Sequence, residues 1–114
     1  MSDKEDLTKL KCVPCRGNEP TLEMNEAKDM LGEVEGWELH EEDEPHIEKE
    51  FKFDDFAEAM KFVNEVAELA EEEGHHPDIC IHWNRVDLTL WTHAIGGLHK
   101  NDFIVAAKID EIDI

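Results

Sequence analysis

The sequence predicts an α+β domain in which about three helices pack on one face of a four-stranded, mainly antiparallel sheet. Segments of helical and strand periodicity alternate as helix, two strands, helix, two strands, helix. Strands that arrive in neighbouring pairs joined by short turns pair antiparallel. The 114 residues contain no internal repeat and no linker. A chain of this length forms one core and buries roughly two-thirds of its unfolded surface.

Residues 1–20 are polar, carry Pro14, Gly17 and Pro20, and hold no sustained apolar period. They read as an irregular lead in which little chemistry is expected, with 21–114 as the single domain. Thr21 is placed to cap a short helix through Leu22, Ala27, Met30 and Leu31 that ends near Gly32. A first strand over 37–40 runs into the charged turn Glu41-Glu42-Asp43-Glu44-Pro45. In the second strand Ile47, Phe51 and Phe53 alternate with Glu48, Glu50 and Lys52, the period of a sheet buried on one face.

The cover for that face is a long helix capped by Asp54 or Asp55, with Phe56, Ala59, Met60, Val63, Val66, Ala67 and Ala70 as its apolar stripe. It closes at Glu71-Glu72-Glu73-Gly74, where glycine suits the stop but the carboxylates oppose the helix dipole. A hairpin follows, with strands over 79–83 and 86–92 turning near Asn84-Arg85. Val86, Leu88 and Leu90 point to one face, and Asp87, Thr89, Trp91 and His93 to the other. After Gly96-Gly97, His99 or Asn101 leads into a last helix carrying Phe103, Ile104, Val105, Ala106, Ala107, Ile109 and Ile112. Its apolar surface is too wide for one face, so a subunit contact and an oligomer are expected.

Thirty acidic residues against eleven basic ones give a formal charge of −19, which argues against direct nucleic-acid binding. A solvated acidic surface and adaptation to high internal salt both account for such a charge. The longest apolar run, 103–107, falls far short of the ~18 residues of a membrane span. The first residues lack the pattern of a secretory signal, so the cytoplasm is the expected location. Three cysteines do not make a disulfide framework. Cys12-Val-Pro-Cys15 has the spacing of half a zinc site or of a redox pair, but no second such pair follows and no strand and helix frame it. A structural or incidental role is the expectation.

Four of the seven histidines and two of the three tryptophans fall within 71–93. His75 and His76 follow the helix end, surrounded by its negative pole and by Glu71, Glu72 and Glu73. Imidazoles carry and pass protons near neutral pH. If helical geometry extends past Gly74, Glu71 lies one turn before His75 and orients its ring. On its own a His-His-Pro loop is more often solvent-exposed than catalytic. A third imidazole at a strand end, His93, with Trp83 and the Gly96-Gly97 loop, shifts the balance towards a pocket with aromatic walls. His40, His46, His82 and His99 read as surface or ordinary strand residues.

The run Glu71-x-x-x-His75-His76-Pro77, with Trp83 after five residues, His93 after nine more and Asp102 beyond a Gly-Gly-Leu turn, resembles the signature of the pterin-4a-carbinolamine dehydratases. The resemblance spans about 20–112 and includes Gly36-Trp37, 51–56, Thr92-His93, Asn101-Asp102-Phe103 and 106–110. It implies the same α+β fold, a homodimer or homotetramer, and no metal or organic cofactor. It also implies a hydro-lyase that removes water from 4a-hydroxytetrahydropterin to give quinonoid dihydropterin, as in tetrahydrobiopterin recycling. By the same resemblance His75 and His93 are the acid and base pair, and His76 holds or polarises the pterin. Glu71 orients a histidine, Asp102 serves the loop or the pocket, and Trp37 and Trp83 wall the site or pack in the core. Some members of the family double as dimerisation partners of a transcription factor, so a non-catalytic binding module of the same fold is the alternative.

Overall fold

The computed structural model describes residues 7–13, 20–42 and 44–112; Cys15 and Asp43 lie outside them. A 3-10 turn, Leu7–Lys9, precedes α1 (Met24–Leu31), β1 (Glu38–His40), β2 (His46–Lys52), α2 (Phe56–Glu73), β3 (Asp78–His82) and β4 (Arg85–Leu90). A second 3-10 turn, His93–Ile95, and α3 (Lys100–Asp110) complete the order. The sheet runs β1-β2-β4-β3, and all three pairings are antiparallel. The helices lie on one face, where Ile47, Val86, Leu88 and Leu90 are fully buried in one cluster with Ala59, Phe62 and Val66 of α2 and Phe103 and Val105 of α3.

Several element boundaries differ from the sequence reading, each for a local reason. Thr21 does not cap α1, which begins after Glu23, whose N–H donates to Glu26 Oε1 at 3.1 Å. Thr21 instead packs on Gly97, where an added Cβ would lie 2.7 Å from the threonine methyl. Asp55 is the cap of α2, accepting from the Glu58 N–H at 2.9 Å. On α2 the fully buried row is Ala59, Phe62, Val66 and Ala70, whereas Phe56 and Ala67 are exposed. Met60 and Val63 beside that row are half-buried, Val63 against the core. Phe62, absent from the expected stripe, packs against Phe51 and Phe53 at ring separations of 4.6 and 5.1 Å.

The wide apolar surface of α3 is consumed within the chain. Residues 101–107 and Ile109 are buried against the core, α2 and the turn at Leu7–Lys9, so that width no longer argues for a subunit contact. The C-terminal end of α3 is also held by charge. Lys49 stands on the apolar face of β2 and reaches Asp110 Oδ1 at 2.9 Å, while Trp37 Nε1 donates to the same carboxylate at 3.1 Å. Lys108 donates to Glu73 Oε2 at 2.6 Å.

Residues 7–13, read as part of an irregular lead, strap across α3. The Cys12 N–H donates to Glu73 Oε1 at 3.0 Å and the Val13 N–H to Asn101 Oδ1 at 3.0 Å. Asn101 Nδ2 donates back to the Val13 carbonyl at 2.7 Å. Burial opposes the charged form of Glu73, but the Lys108 ammonium and the Cys12 N–H overcome it and hold the carboxyl below its ordinary value. Burial, with the Glu73 charge beside it, pushes the Cys12 thiol up to about 12. The thiol is therefore protonated at neutral pH and a poor nucleophile, in keeping with a packing role for Cys12.

Two predictions follow from this packing. Phe62→Ala will destabilise by about 3–5 kcal/mol, as expected for a buried aromatic, whereas Phe56→Ala will cost less than about 1 kcal/mol; urea midpoints of the two variants check this, and equal losses would refute the assignment of the buried row. A carboxylate with a lowered folded pKa contributes stability above its unfolded value of about 4.3 and loses it as the pH falls through the folded value. Glu73→Gln will therefore cost about 1–3 kcal/mol at neutral pH. The gap from the unaltered protein narrows as the pH drops below about 4, and a pH-independent gap in urea unfolding would contradict the Glu73 assignment.

Candidate active site

Gly74 ends α2 in the left-handed region, at φ 68° and ψ 26°, with its N–H on the Ala70 carbonyl at 2.9 Å. The chain turns there and sends His75 to the start of α3, where its Nε2 lies 2.5 Å from Asp102 Oδ1. Because the helix does not continue past Gly74, Glu71 does not reach His75 as the sequence suggested. It pairs instead with His76, Nε2 to Oε2 at 2.6 Å. That pair is largely exposed and contributes little to stability.

Asp102 is fully buried. Besides His75 it accepts from Thr92 Oγ1 at 2.9 Å and from the His99 N–H at 3.0 Å, both on Oδ2. His99, one of the two residues expected to lead into this helix, is the N-cap of α3, with Nδ1 accepting from the Asn101 N–H at 3.0 Å. Asp102 is thus the third residue of the helix, where the positive end of the dipole favours a carboxylate.

The loop carrying His93 is closed by its own backbone. β4 stops at Leu90, two residues earlier than expected, and Thr92 pairs with Gly97 across the turn through the Thr92 N–H and the Gly97 carbonyl at 2.8 Å. Gly96, at φ 68°, caps the 3-10 turn that holds His93. The His93 ring lies against Trp91 at 4.0 Å between centroids, and Trp91 Nε1 donates to Asp78 Oδ2 at 3.3 Å. His93 Nε2 stands 3.9 Å from the other oxygen of Asp78.

These loops enclose a cavity of about 250 Å³ lined by His75, His76 and His93 together with Trp91, Thr92, Val13 and Asn101. A larger hollow of about 450 Å³, on the open face of the sheet, is lined by Glu38, Glu48, Glu50, Asp87, Lys49 and Arg85 and has neither an imidazole nor an aromatic wall. Trp37 and Trp83 do not line the histidine cavity. Trp37 is buried with its N–H on Asp110. Trp83 is 66% exposed in the β3–β4 turn, at φ 52°, at the opposite end of the hairpin from His93. The aromatic wall is Trp91, which the alternation over 86–92 puts on the same face as His93.

A carboxylate only accepts, so toward Asp102 the His75 Nε2 is the donor, and Nδ1 is the ring nitrogen left free of that contact. A ring held this way presents a fixed base or, once protonated, a fixed acid. His76 and His93 are each 58% exposed at the side chain, open to a ligand entering the cavity. Among the described residues no group of three His, Cys, Asp or Glu side chains converges to hold a metal ion.

The family model described as pterin 4 alpha carbinolamine dehydratase matches residues 20–112. A Rubrobacter xylanophilus protein provisionally named pterin-4-alpha-carbinolamine dehydratase is 46% identical over 107 residues, 94% of this chain and 98% of its own length. A Vibrio vulnificus protein with the same provisional name is 50% identical over 107 residues, 93% of this chain and 97% of its own. A Brucella melitensis crystal structure, described as a transcriptional coactivator/pterin dehydratase, superposes with a TM-score of 0.75 at 35% identity, covering 80% of this chain and 96% of that one. A pterin dehydratase-like protein described as a RuBisCO assembly factor in the alpha-carboxysome superposes with a TM-score of 0.57 at 29% identity, covering 66% of this chain and 86% of that one. The chain belongs to the pterin-4-alpha-carbinolamine dehydratase family.

Proposed function

We propose that the protein is a 4a-hydroxytetrahydropterin dehydratase that works by histidine acid–base catalysis. The observation that carries this reading is the convergence of His75, His76 and His93 on one small cavity, with His75 backed by the buried Asp102. Dehydration needs a proton delivered to the hydroxyl leaving C4a and a proton taken from N5, so that water departs and the quinonoid dihydropterin forms. Two imidazoles near neutral pH supply both transfers, each contributing roughly 10²- to 10⁴-fold. His75 and His93 share these roles. His76, steadied by Glu71, holds the polar ring, and the Trp91 indole offers it a flat face. The reaction as written needs no cofactor.

Assembly as a homodimer or homotetramer is part of the same reading. The support is β3, a strand at the edge of the sheet with Ile79 and Ile81 at 37 and 39% exposure, next to Trp83 at 66% in the turn that follows. A second reading, a non-catalytic binding module, draws on the same edge and on the relative described as an assembly factor.

Turnover of a 4a-hydroxytetrahydropterin formed in situ, followed by the absorbance of the quinonoid product, decides between them. His75→Ala and His93→Ala are each expected to slow the reaction by about 10²- to 10⁴-fold. Asp102→Asn is expected to lower kcat by freeing the His75 ring. Unaltered protein no faster than buffer would leave only the binding-module reading.

A further inference from the structure

The segment 10–13 lies outside the residues that match the family model, yet its Val13 forms part of the cavity wall. Its placement is specified twice. Glu73, two residues before His75, accepts from the Cys12 N–H at 3.0 Å. Asn101, one residue before Asp102, grips both the N–H and the carbonyl of Val13, at 3.0 and 2.7 Å. The Asn101 carboxamide acts here as a peptide group would in a strand pair, and two parallel bonds fix direction as well as distance. At 2% exposure, Asn101 makes these bonds away from competing water.

The result is an apolar side chain held in a fixed place at the cavity rim. Val13 borders the histidine cavity and remains 55% exposed, so its isopropyl group has apolar surface that can lose water against a ligand. The two residues that fix the segment adjoin the ones that fix the catalytic ring, so the wall and His75 are referenced to the same two helix ends.

We propose that Val13 is a specificity-determining residue, an apolar wall that packs on the bound pterin, and that Asn101 is the positioning residue that sets it. This rests on the dehydratase reading of the site. The ligand chemistry is that of a reduced pterin with a carbon substituent, whose apolar edge gains from losing water against the isopropyl group. Val13 takes no part in proton transfer, so its contribution appears in binding rather than in the chemical step.

The test compares unaltered protein with Val13→Asp, Asn101→Ala and the double variant, measuring kcat, KM and the Kd for a dihydropterin by quenching of tryptophan fluorescence. Two pterins with C6 substituents of different size are used. Val13→Asp is expected to raise KM and Kd about tenfold, which is about 1.4 kcal/mol of binding, while kcat falls less than threefold. Asn101→Ala is expected to reproduce most of the KM rise, and the double variant to add little to it. The ratio of KM values for the two pterins should change in both single variants. Because Val13 is surface-exposed, Val13→Asp should retain the urea midpoint of the unaltered protein and so keeps the test interpretable if Asn101→Ala fails to fold. KM and Kd within twofold of the unaltered protein, in a protein that turns over pterin, would overturn the wall and leave the dehydratase reading intact. Unaltered protein that binds pterin without turning it over fails the dehydratase reading, and the Kd of Val13→Asp then decides the wall. Unaltered protein that neither binds nor turns over pterin overturns both.

Discussion

The carboxylate of Asp102 is the constraint on which the rest depends. A buried charge costs several kcal/mol unless every lone pair is matched, and here three donors come from three separate segments. His75 arrives from the end of α2, Thr92 from beyond β4, and the His99 N–H from the turn that opens α3. Satisfying one side chain therefore fixes how two helices and a loop meet. The cavity is what that meeting leaves between them.

α3 is anchored with similar economy at its other end. In a chain with a formal charge of −19, two of the few cations are spent inside, Lys49 on Asp110 and Lys108 on Glu73. Each joins α3 to another element, β2 in the first case and α2 in the second. Glu73 also receives the Cys12 N–H, which ties residues 7–13 to the same frame. The helix that carries Asp102 is thus held at both ends, a rigid support of the kind that the proposed acid–base chemistry would require.

The frame itself does not decide what the protein does. Solved structures that share it are described as a coactivator/pterin dehydratase and as a RuBisCO assembly factor. Function on a shared fold follows from the side chains at the site. In this chain those are three imidazoles with a buried carboxylate behind one of them, and the catalytic reading rests on their chemistry rather than on the sheet and helices around them.

Much of this was legible in the sequence. The period of two in β2, the glycine stop after Glu73 and the acid three residues beyond His99 each reflect local backbone chemistry, which a short stretch of chain specifies by itself. The grouping of His75, His76 and His93 was visible in their spacing. What tertiary structure decided was pairing. Glu71 is close to His75 in sequence, but the left-handed turn at Gly74 gives it to His76 and leaves His75 to Asp102, 27 positions away. Trp83 stands in the family-like signature, but it sits in the hairpin turn, at the far end from His93, and Trp91 is the indole beside that ring. Asn101 and Val13, 88 positions apart, meet only because α3 packs where the lead can cross it. Periodicity records which face of an element is buried; which distant donor completes a buried acceptor is set by packing, and no local pattern encodes it.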